Sequence, residues 1–490
     1  MKIIPFNLCL VLLMINSIRT NAQTNIDSKA VEIKIDQYLA KAVTNGFAGA
    51  VLVAKGGEII FNNAYGLANK EDNIKNTTHT IYDIGSVTKQ FTAAAILKLV
   101  ELNKLKVTDP LNTFFKGLPI DKENISIHQL LTHTGGFIHN IGAGDFDHIP
   151  TDKFFSELFA TALINKPGTK FEYSNSGYSI LARIIELVSG EDYESFLNTY
   201  LFLPAGMKKT GYLIPDWNPD LYASGYRENV INIGSMAKRY HREAKISWVL
   251  KGNGGFNSTL GDMYKWYNAL KTNKVLSKEL TKVLTTPYIL EYEGGTSYYA
   301  YGWAIFKTDR KTKRVTHNGS NGIFFHDFIW LPEEDVVVIY FTNAFTQQIM
   351  DVARYIEEMI FDTSYNPRPI VEDTSTAILK YALAYDGNLD ELSLKMKNTF
   401  NNKIKHSWYL NHLGYYFIEE DQIDKATAIF KLNVTLFPNE SNLWDSLGES
   451  YLKSMNKQKA IDAYKKALEL DPNYGNAMQA KQIIEANKSK

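Results

Sequence analysis

The sequence predicts an α+β fold: an antiparallel sheet flanked by helices, with an all-α lobe inserted, followed by an α-helical repeat domain. Three observations predict it. Strand-like segments stand at both ends of residues 48–342 with helical periodicity between them, so one sheet is assembled from regions far apart in the chain. The C-terminal part resembles itself at a spacing of 34 residues. Over 490 residues, 45% are hydrophobic and 22% charged, an ordinary globular balance with enough apolar material for sizeable cores.

The N-terminus is expected to be absent from the mature chain. Lys2 precedes an apolar run from Phe6 to Ile15, and Thr20-Asn21-Ala22 ends it, which is the pattern of a secretory signal over residues 1–22. The run is too short to span a membrane. An exported protein, periplasmic or secreted and without a transmembrane segment once cleaved, is the expectation. The single cysteine, Cys9, lies inside the signal, which excludes a disulfide framework and any multi-thiolate metal site. Lys and Arg number 53 against 53 Asp and Glu, so the basic excess of a nucleic-acid binder is missing.

Next come the elements of the sheet. Val31, Ile35, Leu39 and Val43 put one apolar face on a helix over 28–45. Ala48–Ala54 and Ile59–Phe61 flank Gly56-Gly57, a hairpin with a two-glycine turn. Residues 86–270 read as mainly helical, broken at Thr134-Gly135-Gly136 and Pro167-Gly168. Strand patterns return at 301–307, 313–318, 324–331 and 335–342, and a helix follows at 347–361. This unit is expected over 23–365. The Pro367- and Pro369-bearing stretch 366–376 reads as a linker, and 377–490 as the repeat domain. There Leu410, Leu413, Gly414, Phe417, Ala426, Phe430 and Pro438 recur as Trp444, Leu447, Gly448, Tyr451, Ala460, Tyr464 and Pro472, each 34 residues on. Order and period resemble the tetratricopeptide repeat, in which small residues let paired helices approach. Two such units are few for a solenoid, so 375–400 and 475–488 are expected to supply flanking helices.

Three short patterns carry candidate chemistry. Ser86-Val87-Thr88-Lys89 runs directly into the apolar stretch Phe91–Val100, and on a helix Ser86 and Lys89 share a face. A lysine activates a serine hydroxyl when burial makes its neutral amine accessible. Ser235–Lys238, Ser450–Lys453 and Ser454–Lys457 have the same spacing, but none of them opens an apolar helix. Tyr173-Ser174-Asn175 reads either as a turn with a capping asparagine or as a proton shuttle beside a cation, with Asn175 fixing Lys89 or a substrate carbonyl. His317-Asn318-Gly319-Ser320 ends a strand. There Gly319 would let a substrate backbone lie along the edge, and the Ser320 N–H, together with that of Ser86, could donate to an oxyanion.

Taken in order and with their flanking sequence, these patterns resemble the serine β-lactamase and penicillin-binding protein superfamily. The branch is that of class C β-lactamases, D-Ala carboxypeptidases and related esterases. His128–Gly136, Gly254–Thr259, Tyr301-Gly302-Trp303 and Phe341-Thr342-Asn343 support the resemblance, which spans about residues 30–362. It implies a β-lactamase/transpeptidase-like fold, Ser86 as acylated nucleophile and Lys89 as its proton partner. Tyr173 would be the proton relay, and Asn175, His317, Gly319 and Ser320 would bind substrate. Whether Lys89 or Tyr173 is the acylation base stays open, because the two titrate as a pair.

One position departs from the pattern. His317 stands where β-lactamases and most carboxypeptidases of this superfamily carry lysine. An imidazole with an ordinary pKa near 6.5 is a weak anchor for a substrate carboxylate at neutral pH, although it keeps a donor or acceptor for the Tyr173 side. The expected activity is a serine acyl hydrolase acting on esters, amides or peptides and slow on β-lactams. The alternatives are a penicillin-binding D,D-carboxypeptidase or β-lactamase, or a silent ligand sensor or scaffold working through its repeats. No cofactor or metal is expected: His128, His133, His139 and His148 lie on a loop-rich stretch, and no His-Glu-x-x-His occurs. Expected partners are a small-molecule or peptide substrate and a protein bound by the repeats.

Overall fold

The computed structural model describes residues 28–400 and 403–488, so the expected signal over 1–22 lies outside the described residues. Helix α1 (Ser28–Val43) buries Val31, Ile35, Leu39 and Ala42. Its last apolar contact is Ala42 and not Val43, which is exposed where the helix ends. Strands β1 (Gly49–Lys55) and β2 (Glu58–Tyr65) form the first hairpin. Gly56 and Gly57 between them have φ of +60° and +85°, the left-handed pair that a tight hairpin turn requires.

The long middle of the chain folds as a helical lobe that includes α2 (Thr88–Glu101), α3 (Ile127–Leu131), α4 (Asn175–Ser189) and α5 (Leu260–Lys271). The chain then returns to the sheet through β3 (Ile289–Leu290), β4 (Tyr298–Tyr299), β5 (Ala304–Lys307), β6 (Lys313–Ser320), β7 (Phe325–Leu331) and β8 (Val336–Thr342), and α6 (Val352–Phe361) closes this unit. The strand order is β2-β1-β8-β7-β6-β5-β4-β3, antiparallel throughout. Pairing of β1 with β8 from Gly49–Thr342 to Lys55–Val336 joins the two ends of this unit, as the sequence pattern required.

Alternation along β1 sends its side chains to two cores. Val51 and Val53 pack under α1 and α6 with Val338 and Ile356. Ala50 and Leu52 face the helical lobe with Phe91, Trp266, Phe328 and Ile339. Both faces of β7 and β8 are covered, which is why they read as unbroken apolar runs. Each fully buried large side chain here contributes roughly 1.5–3 kcal/mol relative to exposure.

Among the described residues seven further helices follow: α7 (Thr374–Ala384), α8 (Leu389–Phe400), α9 (Ser407–Glu419), α10 (Ile423–Leu436), α11 (Ser441–Lys453), α12 (Lys457–Leu470) and α13 (Ala477–Lys488). A Cβ on Gly414 would fall 2.4 Å from the Phe430 ring, and one on Gly448 would fall 2.9 Å from the Tyr464 ring. The glycine–aromatic contact therefore recurs with the repeat. The 366–376 stretch is not a free tether. The Asn45 side chain donates to the Ile370 carbonyl at 2.8 Å, Ile370 joins the core under α1, and the first turn of α7 begins inside the stretch. Thr376 also donates to the Glu228 carbonyl at 2.8 Å. Among the described residues no helix is long and apolar enough to cross a membrane.

Candidate active site

Ser86 sits in a single 3₁₀ turn, Gly85–Val87, directly before α2. The turn is held from several sides. Asp83 accepts from the Gly85 N–H at 2.7 Å, and Ile84 N–H donates to the Phe256 carbonyl at 2.8 Å. Thr88 donates to the Gly85 carbonyl at 2.8 Å and accepts from Phe256 N–H at 3.2 Å. Burial pushes the Asp83 carboxyl up to about 7, while the Gly85 N–H works against that rise. Gly85 has φ +49°, and a Cβ there would strike the Ser320 amide nitrogen at 2.7 Å.

Lys89 enters the lobe one turn later and is fully buried. Its Nζ lies 3.2 Å from Ser86 Oγ, 2.8 Å from Asn175 Oδ1 and 2.7 Å from the Asn253 carbonyl. Desolvation holds its pKa well below the ordinary lysine value. The Asn253 carbonyl is fixed in turn, because the Asn253 amide donates to Ser179 Oγ at 2.9 Å and to the Val249 carbonyl at 2.7 Å.

Tyr173 and Asn175 come from the start of α4, whose N-cap is Ser174 accepting from Gly177 N–H. The Tyr173 ring lies 4.7 Å from Lys89 Nζ. Burial raises the Tyr173 pKa above the ordinary tyrosine value; its hydrogen bond with Ser86 opposes the rise and the Glu291 charge adds to it. The phenol therefore keeps its proton at neutral pH. Behind it lies His133, buried at φ +56°, with its ring 4.3 Å from that of Tyr173 and its Nδ1 accepting from Ser174 N–H at 3.1 Å.

His317, Gly319 and Ser320 lie at the end of β6, past the last residue that β5 pairs with, Thr316. His317 is not a free anchor. Its Nδ1 is 2.6 Å from the Asn318 carbonyl, which can only accept, so Nδ1 carries the proton and Nε2 accepts from the Tyr299 hydroxyl at 3.0 Å. Burial, and then the Lys89 charge, push His317 down to about 3. The expectation of a remaining donor or acceptor toward Tyr173 is thus corrected: both ring nitrogens are committed elsewhere, and the two rings are 6.5 Å apart. Gly319 is also used differently from the expectation. A Cβ there would fall 2.0 Å from the Ile84 carbonyl and 2.7 Å from Ser86 N, so its bareness admits the Gly85–Val87 turn and not a substrate backbone. This contact brings the amides of Ser86 and Ser320 to one crevice.

The seven expected residues, Ser86 among them, are therefore gathered from three separate segments of the chain. Sequence reasoning missed the Asn253 carbonyl and the contacts of His139. His139 Nδ1 donates to the Tyr173 carbonyl at 3.1 Å, and its Nε2 accepts from the Asn175 amide at 3.3 Å, which fixes Asn175 with its oxygen toward Lys89. The Gly252–Gly255 stretch was the available signal for Asn253.

The family model described as Beta-lactamase matches residues 34–358, more than half of the chain. The chain belongs to that family. The tetratricopeptide repeat model matches residues 446–474. A Bacillus subtilis protein designated PbpX is 31% identical over 272 residues, which are 56% of this chain and 65% of PbpX; the chain thus spans just under two thirds of that relative. The crystal structure of a penicillin-binding protein from Bacillus halodurans is 27% identical with a TM-score of 0.57, covering 67% of this chain and 98% of that one. A class C β-lactamase structure shares the fold at 17% identity with a TM-score of 0.59, covering 70% of this chain and 99% of that one. Membership of the β-lactamase family supports a serine-hydrolase type of function.

Proposed function

We propose that this exported chain is a serine acyl hydrolase that forms an acyl-enzyme on Ser86 from esters, amides or peptides and is slow on β-lactams. Residues 23–365 would be the hydrolase unit, 366–376 the connection and 377–490 the repeat unit. The observation that carries the reading is the proton count at Lys89. A neutral amine has two N–H groups and one lone pair. Asn175 Oδ1 and the Asn253 carbonyl take the two donors, and the lone pair remains for the Ser86 hydroxyl 3.2 Å away. Burial disfavours the third proton that would close off that lone pair.

In this mechanism Ser86 Oγ attacks the carbonyl carbon and its proton passes to Lys89. The N–H groups of Ser86 and Ser320 hold the oxyanion. As the intermediate collapses, the Tyr173 phenol protonates the leaving atom and is reprotonated through the Lys89 pair. Water then enters by the reverse sequence and releases the acyl group. Asn175 and Gly319 keep the lysine and the nucleophile turn in place.

Mass spectrometry after incubation with a fluorophosphonate, and separately with a labelled penicillin, tests the reading. A fluorophosphonate adduct on Ser86, with a penicillin adduct absent or short-lived, is expected. No adduct from either reagent overturns the hydrolase reading in favour of a scaffold. A long-lived penicillin adduct supports the second reading, a penicillin-binding carboxypeptidase, which the name of the Bacillus halodurans protein favours and the neutral His317 disfavours.

A further inference from the structure

We propose that Glu291 sets the charge preference of this site, selecting substrates whose leaving group carries an ammonium-type cation. The inference rests on the acyl-hydrolase reading of Ser86. In the β3–β4 hairpin, Ile289 pairs with Tyr299 and Leu290 with Tyr298. The ladder continues by one pair, because Glu291 N–H donates to the Ser297 carbonyl at 3.0 Å and the Ser297 hydroxyl donates to the Glu291 carboxylate. Cross-strand partners share a face and faces alternate, so Ile289, Glu291, Ser297 and Tyr299 all point to one side.

That side is the active site. Tyr299 donates to His317 Nε2, and its ring lies 4.7 Å from that of His133 and 6.3 Å from that of Tyr173. Two residues farther along a strand is about 7 Å, which puts the Glu291 carboxylate on the same wall toward the rim. Its field reaches both Tyr173 and Tyr299. Tyr173 is the proposed proton donor to the leaving group, so Glu291 faces the departing half of the substrate and not the acyl half.

The other charges near Ser86 are spoken for. His317 is neutral with both nitrogens engaged. Lys89 is buried and engaged by Asn175, the Asn253 carbonyl and the Ser86 hydroxyl. Lys313, earlier on β6, is tied to the Thr285 carbonyl and hydroxyl at 2.6 and 3.1 Å. Asp145, whose charge reaches the nucleophile turn through Asp83, faces the Arg239 guanidinium. Glu291 forms no ion pair among the described residues; its one carboxylate partner is the Ser297 hydroxyl. An ammonium group on the leaving side would therefore meet an unopposed carboxylate flanked by tyrosine rings, which also attract cations.

Three esters of one acyl group test this: the choline ester, its neutral isostere the 3,3-dimethylbutyl ester, and the ester of 4-hydroxybutanoate. Wild-type kcat/KM is expected to favour choline over the isostere by about five- to tenfold, with the carboxylate ester slowest, as one partly buried charge pair allows. In Glu291→Gln the choline-to-isostere ratio should fall to near one, and in Glu291→Lys the carboxylate ester should overtake choline. An unchanged ratio in Glu291→Gln overturns the proposal. So does an equal fall in Glu293→Gln, at the exposed hairpin tip. If none of the esters turns over, protection of Ser86 from fluorophosphonate by choline against 3,3-dimethylbutanol gives the same comparison: stronger protection by choline supports the proposal, and equal protection overturns it. Absence of any Ser86 labelling instead removes the hydrolase reading, and this inference with it.

Discussion

Ser86–Lys89 and Ser235–Lys238 have the same spacing, and each opens a helix, yet the two regions use it differently. Ser235 is an ordinary N-cap: its hydroxyl accepts from the backbone N–H of Lys238 at 3.4 Å, and the Lys238 side chain stands exposed. Ser86 caps nothing. Helix α2 begins from Val87 without a side-chain cap, and the Ser86 hydroxyl meets Lys89 Nζ instead. In the repeats, Ser450 and Ser454 turn back to the carbonyls of Leu447 and Tyr451. Spacing brings a serine and a lysine within reach; burial of the lysine beside fixed polar partners is what sets the Ser86–Lys89 pair apart from the others.

The largest effect separates the two lysines. Arginine keeps its proton in a protein, so Lys89→Arg should lower kcat/KM on a neutral ester by about 10²–10⁴-fold, the range a general base contributes. Lys238→Arg should leave it within about twofold, as a surface change does. Equal losses in the two variants would break the comparison.

The burial around the first tetrad also has a pH signature. His133, His317 and His326 are all buried, and desolvation lowers each pKa, the last two to about 3. At these three sites the folded state thus binds fewer protons than the unfolded chain, whose histidines titrate near 6.5, whereas the buried carboxyls of Asp83 and Asp327, raised to about 7, act in the opposite sense. The histidine contribution is full above about pH 6.5 and is lost as pH falls from there toward about 3. Calorimetry of the wild type against His326→Gln should therefore show a Tm difference that shifts in favour of the variant as pH falls over that window. A difference that stays flat would mean that His326 is solvated.

His317→Lys should move the kcat/KM ratio toward carboxylate-bearing esters by about three- to tenfold over neutral ones, by supplying the missing fixed charge. A ratio that does not move defeats the anchor argument. The smallest effect belongs to the second tetrad. Ser235→Ala should cost about 1 kcal/mol of stability through the lost cap, with Ser86 labelling retained.

Much of the site could be read in the chain because its side chains belong to a recognisable ordered set. Ser86, Lys89, Tyr173, Asn175 and His317 are residue types whose chemistry is visible by name. The Asn253 carbonyl was not, since every residue has one. The hydrogen bond from Tyr299 to His317 was not legible because β4 is two residues long and gives no alternation to detect. Gly319 was recognised as an edge position for the wrong reason: what approaches it is the segment Ile84–Val87, more than 200 residues earlier in the chain. The outer parts of the fold were legible for the opposite reason. The 34-residue period and the two-glycine hairpin are local patterns, and Gly414 against Phe430 is a contact within one repeat.

The sequence alone therefore determined the fold class, the order of the three motifs, the helical repeats and the histidine at position 317, all of which are set by residue type and local spacing. Tertiary structure decided in which of four Ser-x-x-Lys tetrads the lysine is buried against the serine hydroxyl, that His317 is neutral and tied to Tyr299, and that Glu291 shares a face with Tyr299. The physical reason is that desolvation and hydrogen-bond partnership depend on which distant segments pack together, and no window of the chain around Ser86 contains Asn253, Tyr299 or Glu291.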